Sequence, residues 1–61
     1  MTMTGKEMLK LLKKNGFTEI RVEGSHHIMK KGAIEISVPV HGNEDLKIGL
    51  LNRMLKDAGL R

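Results

Sequence analysis

The 61-residue sequence has no cysteine, no tryptophan and no tyrosine, one phenylalanine (Phe17) and one proline (Pro39). Without cysteine, neither a disulfide nor a thiolate metal site can reinforce the fold. A chain this short buries only ~60% of the surface its unfolded form exposes, so its core is small and a partner that binds the folded state adds stability. A single aromatic side chain excludes a nucleic-acid platform built from stacked rings. No apolar run approaches the ~20 residues needed to cross a membrane, and there is no signal-peptide core. The expectation is one cytoplasmic domain over residues 1–61. What the chain does have is cationic charge: Lys and Arg number 11 against 7 Asp and Glu, a formal net charge of +4. That balance suits a polyanion, or an acidic protein competing for the same surface.

Thr4-Gly5-Lys6-Glu7 has the form of a capping box. Met8, Leu11 and Leu12 follow at helical spacing, with Leu9 widening the stripe and the lysines largely off it. Asn15-Gly16 is a stop signal, and Phe17 beyond it can fold back on Leu12. The spacing predicts a helix from about Gly5 to Asn15. From Thr18 to Glu23 the pattern alternates, with Ile20 and Val22 on one side and Glu19, Arg21 and Glu23 on the other, the mark of a half-buried strand. Gly24-Ser25 makes a turn into a second strand, His26 to Lys31. Its facing is open: either Ile28 points to the core and takes His26 with it, or Met29 does and takes His27.

After a turn at Gly32, Ile34, Ile36, Val38 and Val40 alternate cleanly, with Pro39 suited to the end of an edge strand because it cannot donate to a ladder. His41 to Asp45 is a polar loop, with Asp45 the candidate cap for the helical turn before Gly49. Leu51, Met54, Leu55 and Ala58 then mark a second amphipathic helix ending at Gly59. The fold class is α+β, in the order α-β-β-β-α: a three-stranded antiparallel meander with both helices on its apolar face.

That order in about 60 residues resembles the double-stranded-RNA-binding fold. Four segments sharpen the likeness: Gly5-Lys6-Glu7-Met8-Leu9-Lys10-Leu11-Leu12 closing on Gly16-Phe17, Gly24-Ser25-His26-His27, Val38-Pro39-Val40-His41, and Leu46-Lys47-Ile48-Gly49 running into Met54-Leu55-Lys56-Asp57-Ala58-Gly59-Leu60. Together, in this order, they resemble the HicA family of toxins, small mRNA interferases of bacterial toxin–antitoxin pairs. The resemblance implies a ribonuclease acting on mRNA, a catalytic histidine in the Gly-Ser-His motif, and inhibition by a cognate HicB-type antitoxin. The position after Gly49 is often threonine in that family. Here it is Leu50, which lacks the hydroxyl that would cap the helix or touch a phosphate.

Such a reaction needs a group that moves a proton near neutral pH, and the unperturbed imidazole, at ~6.5, fits. It also needs positive charge beside the phosphorane oxygens, which Lys or Arg supplies without a metal. His26 is the first candidate for acid-base work and His27, pointing to the opposite face, the second. Ser25, Lys30, Lys31, His41 and Lys47 are candidates for binding RNA, with Arg53 and Lys56 along the second helix. Lys30 shares a face with His26 but lies ~13 Å along the strand, which suits a docking charge rather than a contact at the reacting phosphate. Adjacent His26 and His27 diverge on a strand and His41 comes from a loop, so no zinc site and no cofactor are expected. Two other readings stand beside the ribonuclease: a non-catalytic RNA-binding module of the same fold, and an interaction protein whose basic face docks an acidic partner.

Overall fold

A computed structural model describes residues 2–61. The elements are α1 (Gly5–Lys14), β1 (Thr18–Glu23), β2 (His26–Lys31), β3 (Ile34–Pro39) and α2 (Ile48–Asp57). The three strands form one antiparallel sheet in the order β1-β2-β3.

Helix α1 begins where the capping box places it. The Glu7 amide donates to the Thr4 hydroxyl at 3.2 Å, and the Thr4 amide donates to the Glu7 carboxylate at 2.8 Å. It ends in a Schellman motif: the Phe17 amide donates to the Leu12 carbonyl and the Gly16 amide to the Lys13 carbonyl. Helix α2 closes the same way, through Leu60 to Leu55 and Gly59 to Lys56. Its start differs from expectation. Lys47, not Asp45, is the N-cap, and no side chain caps the first turn. Asp45 instead pairs through its backbone with Thr4, which draws the β3–α2 loop against the start of α1.

The core gathers Met8, Leu9 and Leu12 from α1, Met29, Ile36 and Val38 from the sheet, and Leu51, Met54 and Leu55 from α2, with Phe17, Leu46 and Ala58. Met29 lies opposite Ile36, and His27 opposite Val38, so these four share the face that both helices cover. His26, Ile28 and Lys30 therefore point to the open face. Met29 is the core residue, as one of the two sequence alternatives had it. Ile28 is also buried, outside that cluster, flanked on the open face by Arg21 and Ser37.

Strand β1 is the main departure. It is exposed along its whole length, with Ile20 and Val22 44% and 50% accessible. Helix α1 reaches all three strands but α2 lies against β3 alone, so the β1 edge keeps its side chains open to solvent. The strand also carries a bulge between Glu19 and Arg21. An extra residue shifts the alternation by one, because side chains change face at every step. Glu19 consequently lies on the helix side with Val22, while Arg21 and Glu23 remain on the open side.

Gly5 is buried at the first position of α1, where a Cβ would strike the Pro39 carbonyl oxygen and crowd Val40. Glycine to alanine in a helix ordinarily stabilises by up to about 1 kcal/mol. Gly5→Ala is expected to do the reverse here, costing about 1–3 kcal/mol through overpacking against backbone. Thermal unfolding checks the sign: a melting temperature lowered by several degrees is expected.

Candidate active site

The Gly24-Ser25 turn joins β1 to β2 in two residues. Gly24 has φ of 60° and Ser25 has no positive φ, the combination that marks the II′ hairpin turn, which matches the twist of the strands it joins. The Ser25 carbonyl accepts from the Val40 amide at 2.8 Å, so the β2–β3 ladder continues past Pro39, which has no N–H to give. The Ser25 hydroxyl has no hydrogen-bond partner among the described residues.

His26 follows the turn directly. It is exposed on the open face, opposite Glu23 on one side and Pro39 on the other. Its Nδ1 lies 3.5 Å from the Ser37 hydroxyl, the outer limit of a hydrogen bond. Both ring nitrogens are thus free to exchange protons with a ligand. His27 differs. It is half-buried on the helix face, and its Nδ1 stands 2.6 Å from Glu19 Oε1. An ionised carboxylate only accepts, so Nδ1 carries the proton and Nε2 is the free nitrogen. The bulge in β1 makes this contact, and the simple alternation in the sequence hides it. Glu19 is a residue the sequence did not single out.

The open face also carries carboxylates. Arg21 bonds Glu23 at 2.5 Å and reaches Glu35 at 3.4 Å. The Glu23 hydrogen bond and charge raise the guanidinium pKa above its ordinary value, and Arg21 offsets both Glu23, which lies opposite His26, and Glu35, which lies opposite Lys30.

The other candidates fall into two groups. Pro39, cross-strand from His26, forms one wall of a cleft of about 360 Å³ that His41 and Lys47 also line. His26, Ser25, His41 and Lys47 thus belong to one end of the sheet. Lys30 and Lys31 are at the other end of β2. Lys30 shares the face of His26, whereas the Lys31 ammonium stands 5.8 Å from the centre of the Phe17 ring and packs against Gly16. Arg53 lies nearly 4 Å from Asp57 on the exposed side of α2.

The element order, the antiparallel meander and the two helices on one face are those of the double-stranded-RNA-binding fold class, here with a Gly-Ser-His turn at one end of the sheet. The family model for the HicA toxin of bacterial toxin–antitoxin systems matches residues 5–60, and the chain belongs to that family. It is accordingly a toxin of a toxin–antitoxin system, with a cognate antitoxin as partner. Comparison with curated proteins finds no match.

The Glu19–His27 pair can be measured directly. With side chains 32% and 25% accessible, it is expected to contribute about 0.5–1 kcal/mol to folding, as a partly exposed hydrogen bond to a carboxylate does. A double-mutant cycle of Glu19→Ala and His27→Ala in urea unfolding reads that coupling. Strict additivity would show that the contact carries no energy.

Proposed function

We propose that this toxin is a metal-independent endoribonuclease that cleaves mRNA, with His26 as its proton carrier. The observation that supports the reading most is the accessibility of His26. It is an exposed imidazole with both nitrogens available, at the start of a strand pinned by a tight turn. His27, by contrast, has one nitrogen committed to Glu19.

In the proposed reaction the 2′-oxygen of a ribose attacks the adjacent phosphorus as the bond to the 5′-oxygen breaks, giving a 2′,3′-cyclic phosphate and a free 5′-hydroxyl. One imidazole nitrogen of His26 removes the 2′-proton or donates to the leaving oxygen. His41 is the second proton carrier or a donor to the phosphate, and Lys47 supplies positive charge to the non-bridging oxygens. Lys30 docks the strand further along, Ser25 contacts the backbone beside His26, and Lys31 adds charge at the far end. An antitoxin of the HicB type neutralises the toxin by covering His26 and these cations, in the cytoplasm where mRNA is met.

Cleavage of a long mRNA in EDTA tests the proposal, with wild type beside His26→Ala and His27→Ala and each fold checked by circular dichroism. Wild type is expected to cleave, and His26→Ala to lose about 10²–10⁴-fold, the usual worth of a general acid–base group. Binding by the His26→Ala protein is expected to persist and to weaken steeply with salt. Loss confined to His27→Ala moves the chemistry to the other face of the sheet. RNA retained without cleavage by wild type removes the enzyme and leaves a binding module.

A further inference from the structure

The cleft beyond Pro39 combines three kinds of wall. Pro39, Leu46 and Leu50 are apolar, Glu44 and Asp45 bring carboxylates, and His41 and Lys47 bring donors. At about 360 Å³ it falls in the range of small-molecule sites, which hold a mostly apolar body and fix it with a few polar groups. The loop that forms it is tied down. The Glu44 amide donates to the His41 carbonyl at 3.0 Å, the Leu46 amide to the Met3 carbonyl at 2.7 Å, and Asp45 pairs with Thr4. Leu50 packs against the core, which fixes the wall it contributes. The cavity therefore exists before any ligand arrives.

Glu44 and Asp45, exposed in the loop wall of this cleft, favour a ligand that offers donors there. A phosphate does not offer them: in the proposed reaction it is met by His41 and Lys47, not by these carboxylates. An unpaired nucleobase does. Its flat face lies on apolar side chains and its Watson–Crick edge is read by hydrogen bonds, the usual mode for single-stranded RNA. Among the four bases, guanine presents two adjacent donors, N1–H and the N2 amino group, which match the two oxygens of one carboxylate, and beside them the O6 acceptor, which matches a lysine or imidazole N–H. Adenine and cytosine place an acceptor next to their single amino group, and uracil flanks its one N–H with acceptors. Each would set an acceptor against a carboxylate oxygen.

We propose that this cleft is a guanine-binding subsite, which makes the toxin select cleavage positions next to an unpaired guanosine. The inference rests on the ribonuclease reading for its consequence, but base binding is measured separately. Chemical-shift titrations of the His26→Ala protein with GMP, IMP, AMP, CMP and UMP hold the phosphate constant and vary the base. GMP is expected to shift the amides of residues 41–50 and to bind about tenfold or more tightly than IMP, which lacks the N2 amino group, a discrimination typical of a bidentate pair. Glu44→Gln and Asp45→Asn, singly and together, are expected to erase that difference while circular dichroism stays unchanged. Equal shifts from all five nucleotides, or shifts elsewhere only, overturn the subsite even if the wild type cleaves mRNA. A guanosine-selective shift in a protein that cleaves nothing keeps the subsite and rejects the enzyme. Where cleavage does occur, mapped ends without guanosine enrichment beside the cut also overturn it.

Discussion

Everything at the proposed active end depends on burial of one face of a three-stranded sheet. Met29 is fully buried beneath the two helices, opposite Ile36 and one step from Val38. Because side chains alternate strictly along β2, that placement sends His26, Ile28 and Lys30 to the open face. A one-residue slip would bury His26 and expose Met29, at the loss of one of the largest core side chains in a chain with no disulfide to compensate. The hydrophobic packing of Met29 thus also fixes which imidazole solvent and ligands can reach.

Backbone hydrogen bonds then gather distant segments around His26. Ser25 holds Val40, Met3 holds Leu46 and Thr4 pairs with Asp45, so the start of α1, the β1–β2 turn and the β3–α2 loop meet at one end of the sheet. Gly5 fits there because it has no side chain to collide with Pro39. His41 and Lys47 are brought toward His26 by this arrangement, although they lie 15 and 21 positions further along the chain.

The charge distribution is more particular than a net excess of cations. On the open face Arg21 is shared between Glu23 and Glu35, which lowers the negative potential around His26. On the helix face Glu19 engages His27 and not a lysine. Lys31, read from sequence as one of a pair of RNA-binding cations, lies over Phe17 at the far end of β2 and helps close the α1–β1 corner. Of the cations, Lys47 is the one at the rim of the cleft beside Pro39.

The sequence alone determined the local elements. Capping at Thr4 and Glu7, the stop at Gly16, the alternation in β3 and the helical spacing of Leu51, Met54, Leu55 and Ala58 are short-range signals, and each describes what formed. The Gly24-Ser25 turn signal likewise describes the hairpin that joins β1 to β2. Tertiary structure decided the rest. Whether Met29 or Ile28 faced the helices could not follow from a strand in which both are apolar, since only packing against α1 and α2 distinguishes the two faces. The bulge in β1 depends on pairing with β2, so the move of Glu19 to His27 left no trace in the local pattern. The exposure of Ile20 and Val22 depends on where two short helices reach, and the N-cap of α2 passed from Asp45 to Lys47 because the Asp45 backbone pairs with Thr4, 41 residues away. Local sequence sets periodicity and caps; which face is covered, and which side chains meet, is set by contacts between segments that the sequence keeps far apart.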